Sequence, residues 1–146
     1  MKLKGEIPLD RKTLKQYLPL KKEQERLEKK IDSLYDRVDD VPIVSGKVKS
    51  SMKEHPYIET HVTVQMPDPE QSARLDRLIW INEARKQQVD EILIAIEEFI
   101  QEIPDSTARQ IFEMVFLEGK RQQEVADTLG YSRGRIPQII SKYLND

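Results

Sequence analysis

The sequence predicts a mainly α fold. A long helical N-terminal part, with a small β-hairpin or an ordered loop inserted in it, precedes three short C-terminal helices. Three observations carry this. Leu20, Leu27, Ile31, Leu34 and Val38 lie on one seam at spacings of seven, four, three and four, the narrow stripe of a helix that needs a partner. Leu75, Leu78, Ile79, Val89, Ile92, Leu93, Ile96, Phe99, Ile100 and Ile103 mark a second, longer helical stripe. After Pro104, Gly119 and Gly130 divide the remainder into short helical segments.

Composition narrows the class. A chain of 146 residues fits one domain, or a small domain with an extended helical part. Hydrophobic residues make up 38% and charged residues 34%, which suits exposed helices better than one large core. Cysteine is absent, so disulfides, zinc–thiolate sites and thiol nucleophiles are excluded. The longest apolar run, Leu78-Ile79-Trp80-Ile81, is far too short to span a bilayer. The first residues, "MKLKGEIPLDRK", hold no apolar signal core. A cytoplasmic protein with no membrane partner is expected.

The net charge of −2 is unevenly spread: residues 1–38 are at +4, residues 39–104 at −6 and residues 105–146 at zero. Within that last part, residues 129–144 hold Arg133, Arg135 and Lys142 and no acid.

The first helix is expected from about Lys21, just after Pro19, with Gln24 filling the missing step of its seam. Its partner comes from within the chain or from another copy. Pro42, Gly46, Pro56, Pro67 and Pro69 then exclude a long helix over residues 38–68. There Ile58, Thr60, Val62, Val64 and Met66 alternate with polar residues as in a strand, and Val41, Ile43 and Val48 are candidates for a second. "DPEQ" opens the long helix: Asp68 can cap it, Pro69 suits its first turn, and Gln71 stands three after Asp68. Asn82, Arg85 and Lys86 interrupt its stripe, a break that sets register or marks an exposed stretch. Around Trp80 and Ile81 the helix is apolar on most sides, so the hairpin or the first helix is expected to cover it. Pro104 ends it, and Asp105 or Ser106 can cap the next helix, which buries Ile111, Phe112, Val115 and Phe116 and stops at Gly119.

The segment "QQEVADTLGYSRGRIPQII", Gln122 to Ile140, meets the requirements of a helix-turn-helix. Ala126 is the small residue where two helices cross. Gly130, four residues on, suits a left-handed turn. Val125, Leu129, Tyr131, Ile136 and Ile139 are spaced to hold the pair together, and Ser132 can cap the last helix, which runs to about Leu144. The expected outward positions are Ser132, Arg133, Gly134, Pro137, Gln138 and Ser141, the face that such motifs turn to DNA. Arg133 and Gln138 have the chemistry to read guanine and adenine edges. Arg121, Arg135 and Lys142 are better placed for phosphates, and Gln122 adjoins them. With Ser132 as cap, Pro137 is the fifth helical residue, where it removes a bond to the Arg133 carbonyl and bends or loosens the first turn.

Residues 103–144, "IPDSTARQIFEMVFLEGKRQQEVADTLGYSRGRIPQIISKYL", resemble the fourth region of bacterial sigma factors. The shared pattern is Ile-Pro, an apolar helix ending in "FLEG", then "EVADTLGYS". The longer layout is similar to the sigma-like late-gene transcription regulators of phages and prophages, of the RinA/ArpU type. In these, charged helices and a long helix precede a sigma-like helix-turn-helix. The resemblance implies DNA binding by the outward face of residues 132–142; the first role expected on that basis is a transcription regulator that works beside bacterial RNA polymerase. Two features depart from the pattern: Pro137 stands at a usually polar site, and Lys120 and Arg121 stand where the usual Ser/Thr cap would be. Promoter melting by a sigma factor needs a separate basic and aromatic domain, whereas the aromatics of residues 1–103 are scattered, so a regulatory role is expected.

The expected division is thus a coiled-coil oligomerisation or partner-binding region over residues 1–103 and a DNA-binding domain over residues 104–146. The partners are double-stranded DNA, RNA polymerase and further copies of the chain. His55 and His61, the only two histidines, lack a fixed third ligand, and no metal or cofactor is expected. No phosphate loop, nucleophile elbow or Ser/His/Asp pattern suggests catalysis. The competing assignments are a phage small terminase subunit, an adaptor in DNA packaging, and a purely structural coiled coil. A terminase adaptor calls for an acidic or apolar tail, and none is expected two residues after Leu144.

Overall fold

The computed structural model describes residues 9–51 and 59–144. Its elements are α1 (Arg11–Lys15), α2 (Tyr17–Asp39), β1 (Ile43–Ser51), β2 (Glu59–Pro67), α3 (Pro69–Gln101), α4 (Ser106–Phe112), α5 (Gln122–Leu129) and α6 (Arg135–Tyr143), with a π-helical turn, Glu113–Leu117, continuing α4. The fold is mainly α with a small antiparallel hairpin, as the sequence predicts. The chain packs as two units, one of residues 28–84 and one of residues 1–27 with 85–146.

In the first of these units, Leu34, Val41, Leu75 and Ile79 form a small core with Val38 against it. The inner seam of α2 is therefore filled by α3 of the same chain. Tyr35 Oη adds a hydrogen bond to Glu83 Oε1 at 2.6 Å. The hairpin pairs Ile43 with Pro67 at one end and Ser51 with Glu59 at the other. Ser45 and Gln65 face each other across it, the amide donating to the hydroxyl at 3.0 Å. Asp68 closes its base, donating its N–H to the Pro42 carbonyl at 2.9 Å. The same Asp68 caps α3, accepting from the Glu70 N–H and, through its other oxygen, from the Gln71 side chain, both at 3.1 Å.

Two expectations fail here. Val41 is not in a strand; it is buried before β1 under α2 and α3, while its neighbour Ile43 is 61% exposed. Trp80 and Ile81 are not covered; they stand 70% and 47% exposed, because their positions on α3 point away from the Leu75–Ile79 stripe. Ile58 and His55 lie outside the described residues.

The other unit has the larger core. It joins Leu9, Leu14, Tyr17 and Leu27 to Val89, Leu93, Ile96 and Ile100 of α3, and to residues of α4, α5 and α6. Within it α2 and α3 run antiparallel, tied by Tyr17 Oη donating to Glu97 at 2.6 Å and by Gln24 donating to Asp90 at 2.6 Å. Burial, reinforced by Glu97, pushes the Tyr17 hydroxyl up to about 12. The bond from Gln24, with Lys86 beside it, holds the Asp90 carboxyl below its usual value. The polar interruption of the α3 stripe falls at the border of the two units, between Ala84 and Arg85. Its residues make polar contacts instead of apolar ones: Asn82 donates to the Leu78 carbonyl at 2.7 Å, and Arg85 pairs with Glu23 at 3.5 Å. Of the two partners left open for the α2 seam, the structure thus shows the one within the same chain.

Candidate nucleic-acid interface

Three short helices build the candidate site on this larger core. α4 begins where Pro104 stops the preceding chain. Asp105 caps it, its Oδ2 accepting from the Ala108 N–H at 2.8 Å. Arg109 reaches back to the Ile103 carbonyl at 2.9 Å, fixing the corner. Ile111, Phe112 and Phe116 are buried as the periodicity predicts, whereas Val115 is only half-buried. The sequence reading missed the π-helical turn, in which the Glu118 N–H reaches the Glu113 carbonyl at 3.0 Å.

Two glycines end the first two helices, and their surroundings differ. Gly119 has φ 70° and Gly130 has φ 74°, both in the left-handed region. A Cβ at Gly119 would lie 2.6 Å from Leu18 Cδ1, whereas one at Gly130 would meet open space. At Gly130 the Tyr131 N–H bonds to the Ala126 carbonyl at 2.9 Å, the long bond of a Schellman ending. Gly130→Ala is therefore expected to cost about 1 kcal/mol through backbone strain alone, and Gly119→Ala about 2 kcal/mol, because Leu18 must also move. Urea unfolding of both variants checks the order; a larger loss at Gly130 would contradict it.

α5 starts at Gln122 with Arg121 as its N-cap and no side-chain cap bond, in line with the missing Ser/Thr. Val125 and Ala126 are fully buried, on the inner side of α5. The partners across the turn differ from expectation. Ile136 is fully buried, Ile140 nearly so, and Leu129 and Ile139 are half-buried. Tyr131 is 40% exposed and does not serve as a core residue. Ile140, four residues after Ile136, takes the inner place. Its signal was the spacing along α6.

The start of α6 also needs correction. Ser132 does not cap it. Residues 133 and 134 form a turn, with the Arg135 N–H on the Ser132 carbonyl at 3.1 Å and the Ile136 N–H on the Arg133 carbonyl at 3.3 Å. The helix proper begins at Arg135, after Gly134. Pro137 is then its third residue. The N–H it lacks is one of the first-turn donors that have no intrahelical partner in any helix. Its fixed φ instead restricts the unfolded chain. Pro137→Ser is expected to lower stability by about 0.4–1 kcal/mol. A rise in melting temperature in that variant would show strain after all.

The later start places the expected site residues in two groups. Arg135, Gln138, Ser141 and Lys142 lie along the exposed side of α6. Arg135 Nη1 donates to Gln138 Oε1 at 3.4 Å, a long contact one turn apart. Ser132 and Arg133 are exposed in the turn before the helix, Arg121 is exposed at the start of α5, and Gln122 is half-buried beside it. Arg135, Gln138 and Lys142 also line a groove of about 330 Å³ with Tyr131, Thr107 and Asp105. Sequence reasoning assigned no role to Tyr131 or Thr107 there. It also missed Arg11, whose Nη2 donates to Ser141 Oγ at 3.2 Å across 130 residues of sequence.

Among the described residues, no group of three metal-ligating side chains comes together. No helix among them is long and apolar enough to cross a membrane.

Residues 105–145 match the family described as Sigma-70, region 4. The match takes in α4, the π-helical turn, α5 and α6, and identifies this part of the chain as a sigma-region-four-like helix-turn-helix. It covers less than half of the chain. No curated protein and no solved structure matches the sequence.

Proposed function

We propose that the chain is a sequence-specific, DNA-binding regulator of transcription that acts beside bacterial RNA polymerase and is encoded by a phage or prophage. In this reading residues 104–146 hold the DNA and residues 1–103 serve partner binding or oligomerisation. The observation that supports it most is the exposed row Arg135, Gln138, Ser141 and Lys142 on α6 of a segment that matches Sigma-70, region 4. Arg133 and Gln138 read base edges in the major groove. Arg121, Arg135 and Lys142 meet phosphates, with Gln122, Ser132 and Ser141 at the margins of the contact.

One such face is modest. Between residues 129 and 144 only Arg133, Arg135 and Lys142 are charged, too few for tight binding by a single copy at physiological salt. The reading therefore includes a homo-oligomer that presents two faces to two half-sites. The phage assignment rests on the order of charged helices, long helix and sigma-like helix-turn-helix. Nothing in the reading calls on catalysis, a metal or a cofactor, and it places the protein in the cytoplasm.

Transcription by purified bacterial RNA polymerase, on a template carrying a site selected by the protein, tests the assignment. Transcript yield is expected to change with added protein only when the site is present. Site-specific binding with unchanged yield would remove the polymerase from the reading and favour the packaging-adaptor alternative.

A further inference from the structure

The sigma-like segment is short of the charge that duplex binding needs. Residues 105–146 carry 6 basic and 6 acidic side chains, while neutralisation of phosphates supplies most non-specific affinity. A compensating basic segment lies outside the family match, at the other end of the chain. Residues 9–27 carry 6 basic and 3 acidic side chains. Two of those acids are engaged: Asp10 caps α1 by accepting from the Thr13 N–H at 2.8 Å, and Glu23 pairs with Arg85 at 3.5 Å.

Packing brings this segment to the reading helix. Leu9, Leu14 and Tyr17 enter the same core as Ile136 and Ile140 of α6. With Leu14 fully buried, α1 has an inner side, and Lys12 and Lys15 stand exposed. The link to α6 is also polar: Arg11 donates to Ser141 at 3.2 Å, on the exposed side of α6 and next to Lys142. Lys15 follows Arg11 by one helical turn, so the two neighbour each other along α1.

We propose that α1 is a second phosphate-binding element, in which Lys12 and Lys15 grip the backbone of duplex DNA beside α6 while Arg11 ties α1 to α6. It adds charge without reading bases, and so raises affinity and salt dependence alike. The proposal rests on the DNA-binding reading given above.

Fluorescence anisotropy with a short random-sequence DNA duplex, over a series of salt concentrations, tests it on the full chain. Each lysine removed from a phosphate flattens the plot of log affinity against log salt by about 1. The Lys12→Ala/Lys15→Ala variant is expected to flatten it by ~2 and to bind about tenfold or more weakly at low salt. Both lysines are exposed, and circular dichroism is expected to show an unchanged fold. Lys29→Ala/Lys30→Ala removes the same charge from the other packing unit and is expected to leave the slope close to that of the parent. If both variants flatten the slope equally, net charge is responsible and the proposal falls. If the parent binds and Lys12→Ala/Lys15→Ala keeps its slope, this proposal alone is overturned. A parent that binds no duplex at any salt overturns the DNA-binding reading as well.

Discussion

Phe112→Ala is expected to cost the larger packing unit about 3–5 kcal/mol, the range for removing a fully enclosed aromatic ring. Phe112 is fully buried, and its ring lies 6.1 Å from Phe99 of α3, 5.4 Å from Phe116 of the π-helical turn and 6.0 Å from Tyr143 of α6, measured between centroids. The rings of Phe99 and Tyr143 meet it edge-on, at 65° and 87°, so orientation adds to the area buried. Alanine would leave a cavity where three elements meet, and α6 would lose the support behind its exposed row. Urea unfolding followed by far-ultraviolet circular dichroism reads the loss. A cost below ~1 kcal/mol would mean that the helices close over the gap, and that Phe112 does not organise them. Leu14→Ala is expected to cost about 2–5 kcal/mol in the same assay, although Leu14 lies far outside the sigma-like segment. The helix-turn-helix draws on α1, α2 and α3 for its core.

That dependence was the part of the fold least legible in the sequence. Periodicity reports which side of a helix is apolar, not what covers it. It gave the α2 seam, and the α3 stripe except for Leu78, which is 41% exposed, but left open whether the seam met α3 or another copy. Local chemistry did better. Asp68 caps its helix as read, and of the two candidates Asp105 and Ser106 it is Asp105 that caps α4, because a short carboxylate one residue before a helix has an N–H within reach. Gly130 takes the left-handed turn as read, because few other residues adopt that backbone without strain. Ser132 misled for a related reason. It has the right chemistry for a cap, but the Schellman ending at Gly130 leads into a separate turn, and the carbonyl of Ser132, not its hydroxyl, accepts the bond. The shift from Ser132 to Arg135 moved Pro137 from a strained position to a tolerated one. Arg11 was invisible as a neighbour of Ser141, since no local pattern relates residues 130 positions apart.

In the proposed interface, Arg133→Ala and Gln138→Ala are expected to behave differently from Lys142→Ala. The first two remove donors and acceptors aimed at base edges. Each is expected to cost about 1–3 kcal/mol on the preferred sequence and to relax base choice at one position, with little change on random DNA. Lys142 stands at the end of the exposed row of α6, in its last turn. Its loss is expected to weaken all sequences alike and to flatten the salt plot by about 1. Gln138 has a second constraint, because its Oε1 lies 3.4 Å from Arg135. Arg135→Ala removes both a proposed phosphate contact and that neighbour, so it is expected to reduce affinity on every sequence and selectivity on the preferred one. Titration of preferred and random duplexes with the four variants gives these values. Equal losses on both duplexes for Arg133→Ala and Gln138→Ala would show that the base-reading side chains lie elsewhere.

In the proposed function, α6 and the turn before it read duplex DNA by sequence. Sequencing the duplexes that the full-length protein retains from a random library tests this most directly. Enrichment of one short motif is expected, and loss of that enrichment in the Arg133→Ala/Gln138→Ala variant. Retained DNA with the same sequence distribution as the input library would contradict it.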